Sequence, residues 1–296
     1  MPQSLPNFIA KTKPLLMGQL DQLTQFNLED PRQQLATAMR HTLLAPSKCF
    51  RGLLVCATHR IFSDTVDTIL PVACAIEMLH TGSLIYDDLP CMDNDTLRRG
   101  QPCCHCLFGE DIAILAAYTL QCYAYEILNQ PTNFDPKNQL AMMQFISQAC
   151  GIHGIAGGQA LDLIQARSSE KISPVETIHA LKTGATIVAC VCIPAILHGA
   201  DPTTLDTLKK TGSHLGLLFQ IVDDILDVVS PSETLGKTAN KDSEQNKFTY
   251  ISELGLAGAK AEAQHQADCA KKQLDSLNYP NNHLYGFVEW AQTRIH

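Results

Sequence analysis

Basic residues are scarce in this chain: 22 Lys and Arg stand against 30 Asp and Glu, a formal net charge of −8. A nucleic-acid-binding protein carries a basic stripe, and none runs through this sequence, so no nucleic-acid partner is expected. Long uncharged apolar runs are also missing; by eye, no stretch approaches the roughly 18 apolar residues of a membrane span. The first 30 residues contain Pro2, Pro6 and Pro14 and no apolar run of the signal-peptide kind. Strand-like alternation bounded by hairpin signals is absent, and no glycine-rich turn follows a candidate strand. Low-complexity linkers and internal repeats are lacking as well. Cysteine, by contrast, is plentiful, with 12 residues. They are scattered, and most, such as Cys74, Cys122, Cys190 and Cys192, lie in apolar stretches. A reducing, cytoplasmic compartment is the simplest expectation. Cys103, Cys104, His105 and Cys106 are too tightly spaced for the Cys-x2-Cys knuckle of a zinc site. No second ligand pair follows them at a fitting distance, so a loop with small buried thiols is expected there.

What the chain does have is core-forming material: 45% of its residues are hydrophobic and 18% charged. Helical spacing dominates. Ile69, Val72, Ala73, Ile76 and Leu79 recur three and four apart, with Glu77 and His80 interrupting the run. Similar patterns cover residues 111–128, 138–152, 174–198, 205–229 and 256–277, separated by loops rich in Pro, Ser, Asn or Asp at 130–136, 166–173, 199–203 and 230–245. The expected architecture is all-α, a single domain over residues 1–296, with several helices buried on more than one side.

Two acid clusters interrupt this apolar background. Asp223, Asp224 and Asp227 lie in the apolar segment 217–229, where unpaired carboxylates are expensive to bury. Asp223 and Asp227 project about 40° apart on a helix turning roughly 100° per residue, an arrangement that suits a hard divalent cation. The alternative is three solvated acids at a helix end. The other cluster is Asp87, Asp88 and Asp93, following a long apolar helix that Pro90 should disturb or end. A straight helix would put Asp87 and Asp93 on different faces; an irregularity near Pro90 would bring them together. Arg98 and Arg99 follow at once. Beside carboxylates these could form plain surface ion pairs, but the combination fits phosphate better: carboxylates hold magnesium, the metal holds phosphate oxygens, and arginine forks take the rest.

Asp87-Asp88-Leu89-Pro90-Cys91-Met92-Asp93, followed by Leu97-Arg98-Arg99-Gly100, resembles the first aspartate-rich motif of the trans-polyprenyl diphosphate synthases, in its bacterial and plastid form. Phe219-Gln220-Ile221-Val222-Asp223-Asp224-Ile225-Leu226-Asp227 resembles the second. Between them Gly157–Asp162 and Lys182-Thr183-Gly184 match family segments in order, and the similarity runs from about Met39 to Lys260. The resemblance, closest to bacterial farnesyl diphosphate synthases, implies an isoprenoid-synthase-like bundle of about ten or more helices around a central cavity. It implies magnesium, roughly three ions per site, on Asp87, Asp93 and Asp223, with Asp88, Asp224 and Asp227 in support. It implies that Arg98, Lys182 and Lys237, and more weakly Lys247, hold an allylic diphosphate, and that Lys48, Arg51, His80 and Arg99 hold isopentenyl diphosphate. His80 rests on that match alone, since a histidine on an apolar helix is ordinarily a satisfied core residue. Thr183 and Gln220 would set oxygen dipoles near a developing allyl cation. A homodimer is implied by the same analogy.

The chain departs from the family pattern in places. Pro46-Ser47 replace two glycines ahead of Lys48, Ala117-Tyr118 replace a Gly-Asp pair, and Tyr86 stands where histidine is common. Gly82, five residues before Asp87, occupies a position that carries an aromatic ring in bacterial farnesyl synthases. Without that ring a deeper tunnel and a twenty-carbon product become the alternative to a fifteen-carbon one, unless Tyr118 or another helix fills the space. A terpene cyclase would carry a different second metal motif, and a regulatory subunit would have lost aspartates from one motif. A di-iron bundle needs Glu-x-x-His pairs, and none is in register.

Overall fold

The computed structural model describes residues 4–168, 171–229, 249–277 and 282–294. Helices dominate. At the centre lies the segment Val175–Leu197, built as α9 (Val175–His179), a π-helical turn (Ala180–Gly184) and α10 (Ala185–Leu197). Residues of α10 are apolar all round and almost all buried, as a helix enclosed on every side must be. By length and a mean hydropathy of 1.9 this segment passes as a membrane span, which corrects the expectation of no such run; 67% of that window, however, is buried inside the fold.

Around α10 pack α3 (Phe50–His59), α7 (Pro136–Cys150) and α11 (Pro202–Val229). Helix α4 (Leu70–Asp87) lies against α3 and α6 (Glu110–Leu128), while α12 (Tyr250–Asp275) pairs along α11. The shorter α2 (Gln33–Leu43) and α5 (Cys104–Phe108) cover α6, and α8 (Ile155–Ala166) covers the π turn. Helices α1 (Leu5–Leu23) and α13 (Asn282–Thr293) close one side. The prolines near the start of the chain conceal α1: Phe8, Thr12, Leu16 and Leu20 are buried at four-residue spacing, and Pro14 is accommodated inside the helix. A small antiparallel hairpin, Leu97–Arg98 with Gln101–Pro102, corrects the expectation of no strands. Arg99 and Gly100 turn it with φ of 56° and 74°, the left-handed pair that a two-residue hairpin demands.

The π turn sits between two glycines. A Cβ on Gly158 of α8 would come within 2.2 Å of the Lys182 backbone nitrogen, and one on Gly216 of α11 within 2.7 Å of the Gly184 Cα. Backbone therefore packs on backbone at both faces, fixing the widened turn that carries Lys182 and Thr183. All 12 thiols are free; Cys103 and Cys104 are buried, while Cys106 is exposed beside His105.

Buried histidines give the fold a pH dependence. His59 is fully buried between Thr68 and His198. Burial, then the charges of His198 and Arg60, pushes its imidazole down to about 4. Burial likewise holds His179 at about 4, against the pull of Asp162. An unfolded histidine titrates near 6.5, so between these values the unfolded chain binds protons that the folded chain refuses. Stability present above about pH 6.5 is then lost progressively toward pH 4. Thermal denaturation should show a lower midpoint at about pH 5 than at about pH 7, and His59→Leu should shrink that gap. An undiminished gap in the variant would contradict the assignment to His59.

Candidate active site

Two helices end in carboxylates. Asp87 is the last residue of α4 with Asp88 as its C-cap, and Asp223, Asp224 and Asp227 fall in the final turns of α11. The C-terminus of a helix is the negative end of its dipole, so the acids at the end of α4 call for cations. After Pro90 the chain folds back on itself: the Asp93 N–H donates to the Asp87 carbonyl at 2.8 Å, and the Asp95 N–H to that of Asp88 at 3.2 Å. The irregularity expected at Pro90 thus brings Asp93 to Asp87. Burial pushes the Asp87 carboxyl up to about 6, with Lys182 opposing the rise and Asp93 adding to it.

The supporting acids are engaged elsewhere. Asp88 accepts from the Arg98 guanidinium, which also reaches Asp95 at 3.1 Å. Burial opposes the Arg98 charge, but Asp88 and Asp95 more than restore it. Asp224, 3% exposed, accepts from the Gln220 amide and from the Tyr250 N–H, both at 2.9 Å. With its N–H₂ held this way, Gln220 turns its oxygen to the Thr183 hydroxyl, 2.9 Å away. Asp227 is as buried as Asp224, whereas Asp223 is one-third exposed. Of the four-residue pair expected to share a metal face, Asp223 is the more open and Asp227 the more deeply buried. Lys182 leaves the π turn to meet Asp162 at 2.7 Å. Burial works against its charge, but Asp162, Asp87 and Asp93 together outweigh that and raise its pKa.

Two cavities adjoin these carboxylates. One, of about 340 Å³, gathers Lys48, Arg51, His80, Arg98 and Arg99 with Asp223. Arg51 is buried and donates to the Thr186 hydroxyl and to His80 Nε2, both at 3.1 Å. His80 therefore accepts from Arg51, and burial, then the Arg51 charge, keeps it neutral. It steadies the guanidinium besides lining the cavity. Arg99 donates to the Thr42 carbonyl at 3.2 Å. Cys49, at the N-cap of α3, takes φ 47°, a left-handed turn between Lys48 and Arg51. The other cavity, of about 400 Å³, begins at Asp87 and is mainly apolar. Gln159 lines it with both amide atoms buried and, among the described residues, without a hydrogen-bond partner.

Sequence reading missed four participants. Glu77, treated as a mere interruption, accepts the Gly52 N–H at 2.7 Å and lines the cationic cavity. Its placement one helical turn before His80 was the available signal. Asp162 was matched but given no role. Arg294 pairs with Asp223 at 2.6 Å and lies over the Phe219 ring, with Nε and Nη1 buried and unpartnered among the described residues. Trp290 carries Lys48 over its ring at 5.1 Å. No local motif marks these last two. Lys237 and Lys247 lie outside the described residues.

Among the described residues, no three histidine, cysteine or acidic side chains converge on a ready-made metal centre. The carboxylates nevertheless suit magnesium: they are oxygen donors, Asp87 and Asp93 repel each other at a negative helix end, and Asp223 already attracts a cation in Arg294.

Residues 32–278 match the model of the polyprenyl synthetase family. The chain is 39% identical to a farnesyl diphosphate synthase of Haemophilus influenzae, over 90% of this chain and 91% of that protein. It is 41% identical to a chloroplastic geranylgeranyl pyrophosphate synthase of Capsicum annuum, over 81% of this chain and 66% of that one. A geranyltransferase from Helicobacter pylori, solved with magnesium and isoprenyl diphosphate, superposes with a TM-score of 0.85 at 28% identity, covering 99% of this chain and 97% of its own. The fold, the two aspartate-bearing helix ends and these likenesses agree: the chain belongs to the polyprenyl synthetase family and is a prenyltransferase.

Proposed function

We propose that this protein condenses isopentenyl diphosphate with dimethylallyl and then geranyl diphosphate to give farnesyl diphosphate. The observation that carries the reading is that the last turns of α4 line two cavities, an apolar one through Ser83, Tyr86 and Asp87 and a cationic one, which also holds Asp223, through His80 and Leu84. An allylic chain belongs in the first, with its diphosphate at the carboxylates, and isopentenyl diphosphate in the second. Asp87, Asp93 and Asp223 would hold magnesium, about three ions by family analogy, which neutralises the departing diphosphate when bound. Lys182 and, by resemblance, Lys237 hold the same diphosphate, while Arg98 braces the Asp87 cluster through Asp88 and Asp95. Lys48, Arg51 and Arg99 fix isopentenyl diphosphate so that its double bond faces the allylic carbon; His80 holds Arg51 in position. The Thr183 and Gln220 oxygens, oriented through Asp224, stabilise the positive charge that develops on the allylic carbon. The apolar cavity excludes the water that would quench that charge.

The cytoplasm suits this reading, since all 12 cysteines are free. The whole chain forms one prenyltransferase domain in this account. A homodimer would cover the exposed α6 stripe of Ile114, Leu115 and Tyr118, and sedimentation equilibrium should give twice the chain mass. A monomer at micromolar concentration would contradict that assignment. A twenty-carbon product is the second reading, favoured by the missing side chain at Gly82 and by the likeness to the Capsicum annuum enzyme.

Asp87→Ala or Asp223→Ala should lower turnover by about 10³-fold or more with an unchanged circular dichroism spectrum. Near-normal turnover in either would rule out the metal assignment. Arg51→Met, which removes a charge-assisted hydrogen-bond donor worth about 1.5–3 kcal/mol, should raise the KM for isopentenyl diphosphate roughly 10–100-fold. The KM for dimethylallyl diphosphate should move little; equal rises in both would overturn the division between the two cavities.

A further inference from the structure

We propose that Gln121 narrows the apolar cavity at the depth of Gly82 and sets the product length, an inference that rests on the prenyl-transfer reading above. The cavity-facing residues of α4 step away from Asp87 through Ser83 to Leu79, at about 6 Å per four residues. Gly82 falls between those steps, but the room beside it is already taken. A Cβ there would lie 3.0 Å from the Ala117 carbonyl oxygen, 3.3 Å from Gln121 Cγ and 3.7 Å from Gln121 Nε2. The bare glycine thus serves two purposes. It lets α6 approach α4 closely at Ala117, and it leaves the space in which the Gln121 side chain lies. Gln121 also lines the apolar cavity. The ring absent from α4 is therefore replaced by an amide arriving from the opposite helix.

The depth of this barrier fits a fifteen-carbon product. Gly82 lies five residues before Asp87, about 7.5 Å along the helix. With carbon–carbon bonds of about 1.5 Å, each extended isoprene repeat spans about 5 Å. A geranyl chain of about 10 Å, whose diphosphate lies beyond the Asp87 carboxylate, ends near Gln121 and can be extended once. A farnesyl chain of about 15 Å would have to pass Gln121 toward Leu79 before it could be extended again. Tyr118, 60% exposed, is not among the residues lining the cavity and leaves this task to Gln121. Adding a ring at position 82 would force α4 from α6 rather than merely shorten the tunnel, because the nearest obstacle is backbone.

The test is product chromatography after incubation with isopentenyl diphosphate, magnesium and either geranyl or farnesyl diphosphate. The unaltered enzyme should stop at fifteen carbons and extend farnesyl diphosphate at most slowly. Gln121→Ala should extend it at least about 10-fold faster and accumulate a twenty-carbon product, since the space toward Leu79 is opened. Gln121→Trp should accumulate ten carbons, and Gln121→Met, of similar length, should retain fifteen, with melting curves confirming that each variant is folded. Fifteen carbons from a folded Gln121→Ala, or twenty from the unaltered enzyme, would overturn the role of Gln121 and leave prenyl transfer standing. No condensation by the unaltered enzyme would instead overturn the prenyl-transfer reading itself.

Discussion

The constraint on which this structure turns is the placement of carboxylates at the end of α4 and in the last described turns of α11, both largely buried helices. Stability alone would not favour them there, because the low dielectric disfavours the charge and, at the end of α4, so does the helix dipole. The raised Asp87 and the Asp223–Arg294 pair are two responses to one problem. Each asks for positive charge that the surrounding side chains supply only in part. In the proposed reading, a divalent cation held with a polyanion would supply that charge, and Asp87, Asp93 and Asp223 would then serve one substrate.

Much of the remaining architecture holds those carboxylates in register. The π turn is clamped by backbone contact at Gly158 and Gly216, so Lys182 and Thr183 leave the central helix at a fixed height. Asp224 aligns Gln220, and through it Thr183. Glu77 accepts the Gly52 N–H next to Arg51 and puts a negative charge among the guanidiniums. Buried polar groups of this kind add little net stability but restrict the number of arrangements a site can adopt.

The helical fold was legible because apolar residues recur at helical spacing in α4, α6 and α11, and the acid clusters stood out against that apolar background. The pairing of Asp87 with Asp93 could be anticipated from Pro90. The different burial of Asp223 and Asp227 could not, since burial on one helix face depends on the neighbours packed against it. Helix α1 was hidden by prolines that the helix tolerates. Arg294 and Trp290 come from the last described helix, far in sequence from the residues they touch, and short-range spacing carries no information about such contacts. Gly82 was noticed for the side chain it lacks; that Gln121 fills the gap depends on how closely α6 approaches.

The central claim is that diphosphate is bound between the two carboxylate clusters through divalent cations. Titration calorimetry of inorganic diphosphate into the protein, with magnesium and then with a chelator, tests it directly. The account predicts measurable binding with magnesium, loss of that binding with chelator, and loss in Asp87→Ala even when magnesium is present. Equal affinity in magnesium and chelator would contradict it, because the arginines and lysines alone would then suffice to hold the anion.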